Sequence, residues 1–284
     1  MSGNYTIDQN AAAGNGNYQS FTAFADDINS LGVLGAVTVD VAQGTYNESL
    51  ELGDIIGASQ VNNITIQADA ANTQPVILRN TTSSFSGATI KYTGTKYVTI
   101  DGLTITADLS MSYTRLVYMV SGTMNDLVFQ NCEFIGKDVT STSSYYCIFY
   151  EGSAYIKGTG LTIDNCTSTG GSDFAYIYGA SGANFNTDLT ITNCTIEDNY
   201  GDFLYLGYWK NITLLDNEWR PKTMTTTQYA VRAYTTTSAG NSGNRLDIQR
   251  NIFDVETTST FYGMYLYYYG ASPANPSLIA NNFI

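Results

Sequence analysis

A short pattern of alternating apolar and polar residues returns along almost the whole chain. It occupies Val37–Asp40, Ile64–Gln67, Val98–Asp101, Leu127–Gln130, Leu161–Asp164, Leu189–Thr192, Ile212–Leu215, Leu246–Gln249 and finally Ser277–Ala280. The nine starts between positions 37 and 277 give a mean period of 30 residues. Alternation with a period of two is the signature of a strand with one buried face, so first and third residues point inward and second and fourth outward. No helical periodicity separates these strands. A chain that comes back to the same buried strand at each repeat, with no helix between, predicts a solenoid of stacked parallel strands.

Two further positions of the repeat support stacking. The sixth holds Leu103, Cys132, Cys166, Cys194, Asn217, Asn251 and Asn282, and the eighth holds Ile105, Phe134, Ile196, Trp219, Phe253 and Ile284. Inward Asn residues one above another satisfy each other's amides, and Cys behaves there as a small buried hydrophobe. Cys132, Cys147, Cys166 and Cys194 form no C-x-x-C pair and read as reduced core thiols. A disulfide between neighbouring rungs is the alternative, since a rung step of ~4.8 Å is within disulfide reach.

A second strand precedes the repeat in most rungs. The pattern aligns Val117–Val120, Cys147–Tyr150, Ala175–Tyr178, Leu204–Gly207, Val231–Tyr234 and Met264–Tyr267. Its outward positions form two columns, Tyr118, Ile148, Tyr176, Tyr205, Arg232, Tyr265 and Val120, Tyr150, Tyr178, Gly207, Tyr234, Tyr267. Upstream, Ser20 as N-cap, Phe21, Phe24, Ile28 and Leu31 on one face, and Gly32 as stop predict a helix that caps the core, within a cap region over 18–36. The last residues, Asn281 to Ile284, fall partway through a rung. An uncovered rung would expose apolar core, so more chain or a partner is expected to follow.

With the repeated strand, the Asn positions and the opening segment Val39-Asp40-Val41-Ala42-Gln43-Gly44-Thr45-Tyr46-Asn47-Glu48, residues 18 to 284 resemble the right-handed parallel β-helix proteins of the pectin-lyase-like superfamily. The opening is similar to the first coil of the pectin methylesterase branch and of many bacterial secreted β-helix proteins. The resemblance implies an all-β chain, a right-handed parallel β-helix of about nine rungs with an N-terminal capping helix. It implies chemistry only weakly, because the superfamily spans lyases, hydrolases, esterases, adhesins and tailspikes. Its polygalacturonase-like sites combine Asp with His and basic residues, and its pectate-lyase-like sites set Arg or Lys beside calcium. No catalytic residue carries over to this chain.

Composition narrows the chemistry. The chain has 12 basic and 25 acidic residues, a net charge of −13 and no histidine. Nothing here neutralises phosphates, so nucleic acid is excluded as a partner. Imidazole-dependent nucleophiles and zinc sites are excluded too. No apolar run reaches the roughly 18 residues of a membrane span, so no membrane insertion is expected. The Asn/Thr/Ser/Gly/Tyr-rich composition fits a secreted or cell-surface bacterial protein, and 1–284 reads as one β-helix domain cut from a longer chain.

Three candidate surfaces follow. On the outside of the first strand, Thr38, Thr65, Thr99, Thr162, Thr190 and Thr213 adjoin Asp40, Gln67, Asp101, Gln130 and Asp164. The alternation of Asp with Gln is read as amides bonding carboxylates rather than as a catalytic pair, and the charged neighbour column speaks against ice binding. On the outside of the second strand, Tyr118, Tyr150, Tyr176, Tyr178, Tyr205, Tyr234, Tyr265 and Tyr267 form a stripe, with Tyr208, Trp209, Tyr268 and Tyr269 nearby. Such a stripe is either a ligand platform or a packing face. Asp173 and Asp202, with Glu197 and Asp198 close in sequence, are read as solvated turn residues. Calcium binding or a two-carboxylate glycosidase are the sharper alternatives. No metal ligands or cofactor are assigned, calcium being the one ion considered. The expected function is a non-catalytic stalk or adhesin-like module that binds polysaccharide or a cell-surface glycan through the Tyr stripe. The alternative is a polysaccharide-degrading lyase, glycoside hydrolase or esterase using outward carboxylates.

Overall fold

In the computed structural model, which describes residues 1–151, 157–179, 186–234, 245–267, 269 and 276–284, each of the first eight repeats lays one strand into each of three parallel sheets, and the ninth adds one to the first sheet. The first sheet has eleven strands, and the second and third have eight each. Within a rung the order is first, second, third sheet, as in Val37–Val41, Gly44–Tyr46 and Leu50–Leu52. The expected register of the first sheet is observed throughout. Val37 pairs with Ile64, Ile64 with Val98, Leu127 with Leu161, Leu161 with Leu189, Leu189 with Ile212 and Ile212 with Leu246. This is a right-handed parallel β-helix with one short helix near its N-terminus.

The corner between the first and second sheets is a single left-handed residue at the fifth position of the repeat. Gly102, Asn131, Asn165, Asn193, Asp216, Arg250 and Asn281 have φ of 71°, 54°, 51°, 55°, 58°, 55° and 57°. Gly, Asn and Asp tolerate this region best, which is why they dominate the position. Arg250 holds it with help, its guanidinium bonding Asp216 of the previous rung at 2.7 and 2.6 Å.

Immediately after the corner, the sixth-position ladder points inward. Asn217 Nδ2 donates to Asn251 Oδ1 at 2.9 Å, and Asn251 Nδ2 to Asn282 Oδ1 at 2.9 Å. Cys132, Cys166 and Cys194 continue the column as free, buried thiols. The eighth position is buried at Ile105, Phe134, Ile196, Trp219 and Phe253, whereas Ile284 in the last rung is 61% exposed. Rings of Phe129, Phe149, Phe174, Phe203 and Trp219 run through the interior from rung to rung.

The helix Phe21–Leu31 has the expected caps: Ser20 Oγ accepts from Ala23 N at 3.0 Å, and Gly32, at φ 64°, donates to Ile28 O. Phe21, Phe24, Ala25 and Ile28 are buried, but Leu31 is 66% exposed. Leu31 falls at the edge of the apolar stripe, where the chain already turns away. Glu48 ties this cap to the first rung. Its carboxylate accepts from Phe21 N and Thr22 N, each at 2.9 Å, and from Thr22 Oγ1 at 2.6 Å. A carboxylate on the unpaired N–H groups of a helix start also meets the favourable end of the dipole. Glu48→Ala is therefore expected to cost about 2 kcal/mol in chemical denaturation. Glu48→Gln should recover part of that loss.

The chain before residue 18, ahead of the segment that carries the resemblance, also belongs to the fold. Gly3–Ile7 pairs in parallel with Val37–Val41 and extends the first sheet, and Asn17–Tyr18 pairs with Gly3–Ile7 in turn. Its alternation is short, with only Ile7 fully buried, so the pattern hardly rises above the surrounding polar residues.

Candidate functional site

The outer face of the first sheet is chemically quiet. Asp40 accepts from Gln67 Nε2 at 2.8 Å. Asp101 accepts from Gln130 Nε2 at 2.8 Å and Asn131 Nδ2 at 2.7 Å. Asp164 accepts from Thr192 Oγ1 at 2.5 Å and Asn193 Nδ2 at 2.9 Å. The carboxylates of this column are thus held by amides and hydroxyls of the next rung, as the alternation with Gln implied.

The third sheet carries the tyrosines, with one correction of register. Val117 pairs with Phe149 and Phe149 with Ala175, so the strand in this rung starts at Phe149 and not at Cys147. A slip of two residues preserves the alternation of faces, so periodicity alone does not detect it. Ile148, assigned outward, is 0% exposed and lies against Gly136 and Gly171, whose missing side chains make room for it. Tyr150 moves from the second column to the first, between Tyr118 and Tyr176.

The corrected column is an unbroken ladder of rings. Centroids are 5.3 Å apart for Tyr118 and Tyr150, 5.7 Å for Tyr150 and Tyr176, and 4.5 Å for Tyr176 and Tyr205. The interplanar angle falls along it from 46° to 30° to 4°. Arg232 ends the ladder, its guanidinium 4.5 Å from the Tyr205 ring centre and 4.9 Å from that of Tyr229. At the other end Arg115 lies 4.2 Å from the Tyr150 ring centre and 5.1 Å from that of Tyr118. Such cation contacts neutralise the negative ring faces.

The second column places Tyr178, Gly207, Tyr234 and Tyr267 side by side. A Cβ at Gly207 would approach the Tyr178 ring to 3.0 Å, so the bare glycine is what lets that ring lie across the strand. Tyr178 packs edge-on against Tyr208 and Tyr234, and the Tyr205 and Tyr234 hydroxyls are 3.5 Å apart. Tyr118, Tyr150, Tyr176, Tyr178, Tyr205 and Tyr234 are half-buried; Tyr265 and Tyr267 are 43% and 48% exposed. Because the ladder rings cover one another's faces, they present edges and hydroxyls to solvent. Burial raises the Tyr118, Tyr176 and Tyr234 phenols, which stay protonated donors. Tyr269 hydrogen-bonds Trp209 O at 3.0 Å; Trp209 is itself buried, and Tyr268 lies outside the described residues.

Alongside these rings runs a third column, in which one of the expected solvated carboxylates, Asp173, proves to be buried and the other, Asp202, half-buried. Asp173 is 8% exposed, and its Oδ1 accepts from Asp202 N at 2.7 Å. Asp202 Oδ1 accepts from Tyr229 N at 2.9 Å in the following rung. Burial pushes the Asp173 carboxyl up to about 6, against the pull of the Asp202 amide and Arg232. Burial and the charge of Asp173 push Asp202 up to about 8. Cys147 stands next in the column, its Sγ 4.0 Å from Asp173 Oδ2. Glu197 and Asp198 are not part of this group: Glu197 lies in the second sheet and pairs with Arg220 at 3.2 Å, and Asp198 is a turn residue with φ 58°. The sequence signal for this carboxyl pair is the repeated Asp-Phe ahead of a strand, Asp173-Phe174 and Asp202-Phe203, whose rings stack 5.6 Å apart inside. Among the described residues, no three His, Cys, Asp or Glu side chains are placed to hold a metal ion. No helix among them is long and apolar enough to cross a membrane.

No protein-family model and no curated protein matches this chain. Solved structures do. A pectin methylesterase from Aspergillus niger, in penultimately deglycosylated form, aligns over 95% of this chain and 86% of its own, at 15% identity and a TM-score of 0.51. The deglycosylated form of that enzyme aligns over 91% and 85%, at 12% identity and 0.46. A pectin methylesterase in complex with a hexasaccharide aligns over 96% and 92%, at 11% identity and 0.46. Likeness at this identity is likeness of fold. The chain accordingly shares with the first of these enzymes the fold of a right-handed parallel β-helix.

Proposed function

We propose that this chain is an extracellular β-helix module that retains a neutral polysaccharide along the outer face of its third sheet. The observation that carries the reading is the tyrosine ladder from Tyr118 to Tyr205, continued by the open rings of Tyr265 and Tyr267. The ladder offers a phenol at each step of ~4.8 Å along the helix axis, a linear array suited to a linear polymer of hydroxyls. The net charge of −13 disfavours polyanionic chains and so favours neutral ones. Tyr176→Ala/Tyr205→Ala is expected to lower retention on the bound polysaccharide at least about tenfold in affinity electrophoresis, the loss of roughly 1.4 kcal/mol of contact. Undiminished retention would overturn the reading.

A second reading is a polysaccharide-degrading enzyme. The observation in its favour is the carboxyl pair beside these rings, Asp173 raised by burial and Asp202 raised by burial and by the charge of Asp173, so that the pair gives up its two protons in separate steps. That division suits general acid and base roles. Fold likeness to an enzyme named pectin methylesterase is compatible with this reading. Release of product from any polymer on which the protein is retained, lost in Asp202→Asn, would establish it. Retention without product leaves the binding module standing.

A further inference from the structure

Polar side chains without partners are concentrated at the corner where the third sheet passes into the first. Among the described residues, nine buried side-chain nitrogen and oxygen atoms have no partner within hydrogen-bond geometry, and five of them belong to Glu151, Asn186 and Trp209, though the Tyr178 N–H is near enough to the Glu151 carboxylate to pull its proton affinity down. These residues are 0%, 1% and 4% exposed. Asn186 pairs in register with Trp209, and Glu151 pairs with Ile177 in the inward column opposite. Leaving so many groups unpaired at one place would cost several kcal/mol, unless something bonds them.

A cavity of about 20 Å3 lies at this corner, lined by Met119, Met124, Leu161, Ile177, Asn186 and Trp209. Gly158, also at its wall, cannot be larger: a Cβ there would fall 2.4 Å from Met124 O. A single water needs roughly 10–15 Å3 and two to four polar partners. The cavity therefore admits one such body and excludes a sugar or an organic cofactor. Asn186 supplies a donor and an acceptor and Trp209 Nε1 a donor, and among the other described residues of the wall only Thr159 has a polar side chain.

We propose that this corner is a hydration site built into the fold, in which one long-lived water accepts from Trp209 Nε1 and bonds the Asn186 carboxamide. Its consequence reaches the tyrosine face. Asn186 N donates to Tyr208 O at 3.0 Å, and the Tyr208 ring packs edge-on against Tyr178 and Tyr234 at 5.5 and 5.7 Å. The water thus fixes the start of the strand Trp209–Leu215 under one edge of the ring cluster. The inference holds whether or not that cluster binds polysaccharide.

The chain has two tryptophans, and Trp219 Nε1 is already bonded to Asn199 Oδ1 at 2.7 Å, so it serves as an internal control. In a 15N-labelled sample, water-selective NOE spectra should show a long-lived water contact at the Trp209 indole N–H and none at Trp219. Asn186→Leu should reduce the Trp209 contact to background. Absence of the contact in the native protein would overturn the proposal, and so would an unchanged contact in Asn186→Leu. The native spectrum decides by itself if that variant does not fold. A thermal midpoint raised by potassium or ammonium but not by sodium would place a cation in the site and would equally overturn it.

Discussion

The folded chain should lose stability as the pH rises from 5 to 8, with a thermal midpoint falling by on the order of 10 °C. Three carboxyls drive the effect, Asp173 and Glu151 buried and Asp202 half-buried. Burial raises Asp173 to about 6, Asp202 to about 8 and Glu151 to about 9, from ordinary values of 3.8 and 4.5. A carboxyl raised in the folded state adds stability that is complete below its unfolded value and disappears as the pH climbs through the folded one. Between pH 5 and 8 the unfolded chain has released these protons while the folded chain still holds most of them. Each held proton then lowers stability by about 1.4 kcal/mol per pH unit. Three groups together amount to several kcal/mol, even with local relaxation around each charge, and a chain of this size shifts by roughly 2–4 °C per kcal/mol. With no histidine in the chain, no side chain of ordinary pKa titrates between 5 and 8 to mask the trend. Asp202→Asn keeps an acceptor for Tyr229 N and removes the titration, so it should flatten the pH dependence by about a third. A midpoint that holds level or rises from pH 5 to 8 in scanning calorimetry would show that these carboxyls are hydrated.

The repeat was legible because each rung obeys the same two constraints, alternation in the first strand and an inward residue after the corner. Val98, Leu127, Leu161 and Leu189 align by eye and pair as aligned. What escaped reading depends on quantities that alternation does not encode. The Cys147 rung slipped by two because Cys147, Ile148 and Phe149 are all buried, which erases the outward mark of a strand start. The left-handed corner has a plain signature in Gly102, Asn131, Asn165 and Asn193, but it becomes visible only when the fifth position is read as a column. At the candidate site the tyrosine stripe was apparent, whereas its geometry was not. Rings at 4.5 Å and 4° cover each other, so the surface offers edges and hydroxyls in place of the faces a sugar would stack on. Burial of Asp173, with Asp202 half-buried beside it, is not legible in the sequence, since charged residues are seldom buried without partners. Here the partners are backbone N–H groups of the following rung, which any sequence supplies and none displays.

Asn251 should be the most costly polar residue of the chain to replace. Its Oδ1 accepts from Asn217 N at 3.1 Å and Asn217 Nδ2 at 2.9 Å, while its Nδ2 donates to Leu214 O at 2.9 Å and Asn282 Oδ1 at 2.9 Å. The residue is 0% exposed, so water cannot replace what is lost. Asn251→Ala leaves Asn217 N–H without its acceptor in the core and removes the side-chain bonds to Leu214 O and Asn282 Oδ1, and at about 1–3 kcal/mol for a buried group left unpaired, with about 1 kcal/mol for each further bond, the expected cost is roughly 4 kcal/mol. Asn251→Leu restores volume, as Leu103 fills the same position in an earlier rung, but it leaves the same groups unpaired and should recover little. Asn251→Cys should recover more, because the column already shows how a thiol serves there. Cys194 Sγ lies 3.6 Å from Ile163 O, and Cys166 Sγ accepts from Cys132 N at 3.4 Å. The expected order of urea midpoints is Asn above Cys, and Cys above Leu and Ala. If Leu matched or exceeded Asn, the ladder would be holding the rungs together by packing, and its hydrogen bonds would add nothing beyond shape.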